Sequence, residues 1–199
     1  MLRGTLWGEL VGIRYLRPGD APTLRRMMMD PEVAHLLFEE IAGPPPSALM
    51  MGLAIAMGRL AGRPEFAIVE RSGRLIGAVR LWRISPRNRS AMLTIFIGDK
   101  SRWGKGYGTD ALRLVLRHAF GPMELHRVEL HVFDFNHRAI RSYEKAGFVQ
   151  EGTRRQALFR DGRYHDILVM GVLREEFLAR EIERRSDAVA RVLAAQEND

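Results

Sequence analysis

The sequence predicts an α/β fold in a single domain: a mixed, mostly antiparallel central sheet flanked by helices, with a C-terminal helical extension. Three observations carry this. The 199 residues are 46% hydrophobic and 28% charged, enough to enclose one core and too few for two ordinary domains. Short turns separate several consecutive apolar runs, which gives antiparallel neighbours, while helical segments between others bring in a parallel pairing. After Arg174 the pattern becomes a charged helix with one apolar stripe. We therefore expect a domain over residues 1–173 and an extension over 174–199.

The elements follow in order. Residues 11–17 alternate and then meet Pro18-Gly19, a strand ending in a turn. Asp20 is placed to cap a helix through Met29, and Pro31 opens another to about Phe38. Gly43 and three prolines break the chain. Ser47 then starts a third helix to about Ala61. Residues 65–70 and 75–84 form a hairpin around a tight turn at 72–74, and 91–98 add a strand. Thr109 to Phe120 has apolar residues at helical spacing. Residues 127–135 read as a strand, 136–147 as a helix closed by Gly147, and the last two strands flank Arg160-Asp161-Gly162-Arg163. The stripe of Phe177, Leu178, Ile182, Val189, Val192 and Leu193 suits either packing on its own domain or joining two chains as a homodimer.

Composition narrows the function. The chain has no cysteine, which removes disulfides, thiolate metal sites and a cysteine nucleophile. The first ten residues lack a signal peptide's apolar core, and the most apolar run, Ala48 to Leu60, is too short for a bilayer. We expect a cytoplasmic protein without a metal. A net charge of +7 favours an anionic partner: nucleic acid, an acidic surface or a phosphorylated cofactor. The basic residues are mostly arginine, scattered along the chain, and no nucleic-acid-reading motif accompanies them.

The most informative stretch is Arg102-Trp103-Gly104-Lys105-Gly106-Tyr107-Gly108-Thr109. A glycine-rich turn feeding a helix N-terminus leaves backbone N–H groups pointing outwards at the positive end of the helix dipole, a cradle for phosphate. A plain tight loop is the simpler alternative. The Walker spacing is absent, since Lys105 sits between glycines. The Rossmann spacing fails too, because no glycine stands three residues after Gly106.

The strand at 91–98, this glycine stretch and "NHRAIRSYEKAGF" at 136–148 together resemble the GCN5-related N-acetyltransferase (GNAT) family. Its signature, Arg or Gln, two residues, Gly, one residue, Gly or Ala, falls on Trp103 to Gly108, with Trp103 in the Arg/Gln place. An aromatic there is similar to the RimJ/RimL-like branch that acetylates N-termini of ribosomal proteins. The resemblance covers roughly residues 10 to 173 and implies an acyl-CoA N-acyltransferase fold with acetyl-CoA as co-substrate. It implies that backbone at Phe96, Ile97 and Gly98 meets the pantetheine. Amides between about Lys105 and Thr109 would hold the pyrophosphate. Arg102 and Lys105 would either add charge beside it or stand solvated.

From the residues alone, Asn136 caps a helix, and Tyr143, two turns on, lies on the same face. The resemblance gives Asn136 a contact to pantetheine. It makes Tyr143 the donor of a proton to the departing thiolate, chemistry a phenol can perform.

The base is not evident. Relatives often carry a Glu near the place of Met92, and residues 91–97 contain no carboxylate. Glu129 and His131, alternating on one strand face, and His165 and Asp166 are candidates. The acceptor amine is equally open. A protein N-terminus is favoured, with an aminoglycoside or polyamine as alternative, since the second motif is also very like that of aminoglycoside 6'-N-acetyltransferases. A non-catalytic acyl-CoA-binding module is the third reading.

Overall fold

Apolar runs at Gly12–Tyr15, Glu65–Val69 and Leu75–Ser85 make strands, the second buried on both faces, and these join five others in one sheet. The computed structural model describes residues 4–37 and 45–196, with backbone alone for 188 and 191–196. In chain order the elements are β1 (Leu6–Trp7), β2 (Gly12–Tyr15), α1 (Ala21–Met28), α2 (Pro31–His35), α3 (Ala48–Leu60), β3 (Glu65–Val69), β4 (Leu75–Ser85) and β5 (Ser90–Ile97). Then come α4 (Tyr107–Phe120), β6 (Arg127–Phe133), α5 (His137–Ala146), β7 (Val149–Arg160), β8 (Arg163–Leu173) and α6 (Arg174–Gln196). Strand order is β1-β2-β3-β4-β5-β6-β8-β7, antiparallel throughout except between β5 and β6. This is the mixed, mostly antiparallel sheet that the sequence predicts. The predicted helix end at Phe38, the break at Gly43-Pro44 and the last three residues of the extension lie outside the described residues.

Local chemistry explains where the elements begin. Ser47 caps α3 by accepting from Met50 N–H at 3.3 Å, and Asp30 caps α2 from Glu32 N–H at 3.0 Å. Asp20 does something else than the predicted cap. Its carboxylate takes a two-pronged bond from Arg14 at 2.7 and 2.8 Å and accepts Arg17 N–H, clamping the end of β2 to the turn before α1. Helix α4 starts at Tyr107, ahead of the predicted Thr109, because Gly106 at φ +86° supplies a left-handed N-cap.

The sheet has two differently covered faces. Phe66, Ile68, Val79, Leu81, Leu93, Leu130 and Val132 are buried with Leu112, Val115 and Leu116 of α4. On the opposite face Ala67, Val69, Ala78 and Phe96 meet Leu16, Leu24 and Ile55 around α1 and α3. Burying each large apolar side chain contributes about 1.5–3 kcal/mol, so the α4 face dominates the stability. The start of α6 packs on this domain: Phe177 is buried against Phe120, and Arg117 pairs with Glu181 at 2.6 Å.

One irregularity positions the site. β5 and β6 pair only over Ser90–Met92 and Arg127–Glu129. Beyond this the strands part, and β5 runs on to Ile97 and β6 to Phe133 with a cleft between them.

Candidate active site

A cavity of about 870 Å³ occupies this cleft, passing from the N-terminus of α4 through the sheet to the α1 face. Its volume suits a large cofactor with room for a second substrate.

The glycine stretch forms one end. Gly104 and Gly106 stand at φ +72° and +86°, a region that costs other residues about 1–2 kcal/mol. Gly108 differs: it is already helical, and a Cβ there would meet Ser142 Oγ at an ordinary 3.4 Å. Trp103 anchors the loop, since its Nε1–H donates to Ile97 O at 2.7 Å, and the Arg138 guanidinium lies 3.6 Å from its ring. Thr109 shares a 2.9 Å hydrogen bond with Ser142 of α5. Tyr107 lines the cavity with the Arg102 guanidinium 5.6 Å from its ring, and Arg102 Nε is engaged by Glu70 at 2.6 Å. Lys105 is exposed and stands outside the cavity wall.

Of Phe96, Ile97 and Gly98, at and just past the end of β5, Ile97 turns its backbone to the cleft. A Cβ on Gly77 would lie 2.2 Å from Phe96 O, so that carbonyl faces β4. Gly98 N–H donates to Ile76 O at 2.8 Å, and its missing side chain makes room for Met27. The alternation of an antiparallel strand puts the Ile97 peptide on the opposite edge, where Trp103 finds its carbonyl. Phe96 and Gly98 thus spend on the sheet the backbone groups that the sequence reading directed to a ligand.

Asn136 and Tyr143 both line the cavity from α5. Asn136 Oδ1 accepts from Ala139 N–H at 3.2 Å, so the cap is real and the amide end is the part left for a ligand. Tyr143 is 8% exposed and packs edge-on against Phe148. Among the described residues none hydrogen-bonds its hydroxyl, and burial pushes its pKa above the usual phenol value.

On the α1 face the wall is built by β4, β5, β6 and β7. Arg80 and Trp82 stand opposite Thr94 and Met92, and Trp82 Nε1 donates to Thr94 Oγ1 at 3.1 Å. The pairing slips between Trp82 and Ser85, and Arg83 there has φ +47°, a strained bulge that turns its guanidinium over the Trp82 ring. Sequence reasoning missed Arg80, Trp82, Arg83 and Arg154, all on the cavity wall. A visible signal was Arg80-x-Trp82, a cation and an indole on one face of an apolar strand.

Of the four base candidates, His131 alone lines the cavity. Burial lowers its pKa, Glu129 at 3.5 Å offsets part of that, and the charges of Arg154 and Arg83 press it lower. Glu129 itself is held by Arg127 at 2.7 Å. His165 is buried beside Asp134, and Asp166 accepts from Gln156 N–H. Among the described residues no cluster of side chains is arranged for a metal, and no helix is long and apolar enough to cross a membrane.

The family described as "Acetyltransferase (GNAT) domain" matches residues 11–149. The spermidine N(1)-acetyltransferase of Vibrio cholerae is 35% identical over 116 residues, 58% of this chain and 66% of that protein. The putative ribosomal N-acetyltransferase YdaF of Bacillus subtilis is 32% identical over 105 residues, 53% of this chain and 57% of that protein. The chain thus spans 57–66% of the length of these curated relatives. A crystal structure of the Vibrio cholerae spermidine N-acetyltransferase in complex with CoA and spermine has 28% identity and a TM-score of 0.75, covering 84% of this chain and 98% of that one.

Proposed function

The chain belongs to the acetyltransferase (GNAT) domain family, and on that premise we propose that it transfers an acetyl group from acetyl-CoA directly to a primary amine. The observation that carries the proposal is the continuous cavity joining the glycine cradle, the parted strands and Tyr143. Three features fit acetyl-CoA. Left-handed glycines open the N-terminus of α4 to an anion, the cleft edge at Ile97 offers backbone to an amide-bearing chain, and arginines of α4 and α5 rim the entrance. Bound there, acetyl-CoA would supply the thioester carbonyl.

The chain's own groups divide the remaining work. Backbone amides from Lys105 to Thr109 hold the pyrophosphate, and the Asn136 amide orients the pantetheine. His131, neutral at pH 7, takes the proton of the attacking amine. Tyr143 holds a proton for the sulfur as the C–S bond breaks. The burial that makes its phenol a weaker acid also makes a thiolate in the same place a stronger base, so the transfer stays matched.

The acceptor is proposed as a protein N-terminal amine, the reading that the aromatic Trp103 supports. The relatives named spermidine N-acetyltransferases favour a polyamine as second reading. The test of the core proposal is twofold. Acetyl-CoA at a hundredfold excess over its Kd should raise the melting temperature by about 5–10 °C. Tyr143→Phe should keep that shift and lower turnover about a hundredfold or more. No shift with acetyl-CoA would end the proposal, and full turnover in the variant would remove Tyr143 from it.

A further inference from the structure

Among the described residues, the half of the cavity on the α1 face is lined by arginines and by no carboxylate. Arg80, Arg83 and Arg154 all line it. Among the described residues none of these guanidiniums meets a carboxylate; Arg80 and Arg83 lie 5.3 and 5.0 Å from the Trp82 ring, and Arg80 Nε is buried without a hydrogen-bond acceptor. The described acidic residues on the cavity wall are Glu9 and Asp110, both at the α4 end. Each is already engaged, Glu9 by Arg184 and Asp110 by the N–H groups of Leu10 and Val11. Glu129 shares the His131 face and is spent on Arg127.

Gathering like charges and leaving a buried N–H unpaired costs stability unless a ligand supplies the missing partner. The pyrophosphate of acetyl-CoA is not that partner. Its cradle opens on the α4 face, whereas Arg80, Trp82, Met92 and Thr94 share the strand face of Ala78 and Phe96, which packs towards α1 and α3. The strained bulge at Arg83 points the same way, since a non-glycine residue at φ +47° persists only where the surroundings hold it.

Resting on the acetyltransferase reading above, we infer that the acceptor amine is carried by a molecule with carboxylate groups near the amine, received by Arg80, Arg83 and Arg154. His131 would stand at the amine and the guanidiniums at the carboxylates. A polyamine, by contrast, would bring more positive charge to this wall.

Calorimetric titration of the CoA-saturated protein decides the matter without requiring turnover. The probes are two peptides sharing an N-terminal alanine, one followed by two glutamates and the other by two lysines, with spermidine and free L-glutamate beside them. The glutamate peptide should bind about tenfold or more tightly than the lysine peptide and spermidine, the effect of one charge-assisted hydrogen bond. Arg83→Gln with Arg154→Gln, both on the cavity wall, should bring that preference close to parity. Free L-glutamate binding as tightly as its peptide assigns the site to amino acids, and clearly weaker binding assigns it to peptide N-termini; both support the inference. Tighter binding of spermidine or the lysine peptide, or a preference unchanged in the double variant, overturns it. If acetyl-CoA itself gives no melting shift, the underlying enzyme reading falls, and that failure is seen before any acceptor is added.

Discussion

A single methyl group placed two residues apart in the glycine stretch should have opposite consequences. In Gly106→Ala the new side chain must stand at φ +86°, which costs about 1–2 kcal/mol. Its Cβ also comes within 3.3 Å of Leu10 Cδ1, a flexible neighbour that can give way. The melting temperature should therefore fall by about 2–8 °C. Relief of the strain means rotating the cap towards negative φ, which swings the adjoining amides out of the cradle. Losing one charge-assisted hydrogen bond to phosphate weakens acetyl-CoA about tenfold to a hundredfold. Gly108→Ala meets no such barrier, because position 108 is helical and its Cβ would touch Ser142 Oγ at an ordinary 3.4 Å. Alanine in a helix gains about 0.5–1 kcal/mol over glycine, so this variant should melt about 1–4 °C higher. Its acetyl-CoA affinity should remain within a factor of about three of the parent. Thermal denaturation and calorimetric titration of the two variants give the answer. Equal loss of affinity in both, or parent-like binding by Gly106→Ala, would refute the assignment of the left-handed cap to the cofactor.

Trp103→Phe keeps a ring beneath Arg138 and deletes the indole N–H that Ile97 O accepts. A half-exposed carbonyl left unpaired costs about 1 kcal/mol, and acetyl-CoA should bind about three- to tenfold more weakly as the loop loosens; a lower melting point with unchanged affinity would make Trp103 merely structural. For His131, burial and the neighbouring arginines hold the folded pKa below 6.5, so the base form survives further into acid. The ratio of kcat/KM between the parent and His131→Gln, in which the acceptor's own ionisation cancels, should fall on an acid limb centred below 6.5. Arg83→Gln removes a like charge and should move that limb upward; a limb that ignores Arg83, or persists in His131→Gln, assigns the base elsewhere.

The parts of this molecule that were legible in the sequence are those set by local physics. Ser47 and Asn136 cap helices because their side chains reach N–H groups three residues on. β2 was visible as alternation and β3, β4 and β5 as apolar runs between turns, whereas β1, with two residues, is too short to show a period. What stayed hidden depends on register between distant segments. Asp20 carries the signature of a cap and serves Arg14 instead, because β2 ends beside it. Alternation put Glu129 and His131 on one strand face without saying where a cavity would open. That was decided by where β5 and β6 stop pairing, and His131 stands just past the last paired residue, Glu129. Arg83 reaches the cavity only through a bulge, and a bulge follows from how two strands register rather than from either strand's composition.

The same geometry explains why the motifs speak of the cofactor and not of the acceptor. Gly104 to Thr109 and Asn136 to Tyr143 lie on two consecutive helix starts of the α4 face, each a contiguous run of sequence. A cradle of backbone amides needs such a run, since neighbouring N–H groups converge only when their residues are consecutive. The wall on the α1 face is assembled otherwise, from side chains of β4, β5, β6 and β7 meeting across the sheet. No run of residues records it, and each of its members can change charge without disturbing the ladder beneath. Relatives sharing the α4 face can therefore differ on the α1 face, so a likeness to spermidine acetyltransferases does not by itself fix what meets Arg80, Arg83 and Arg154.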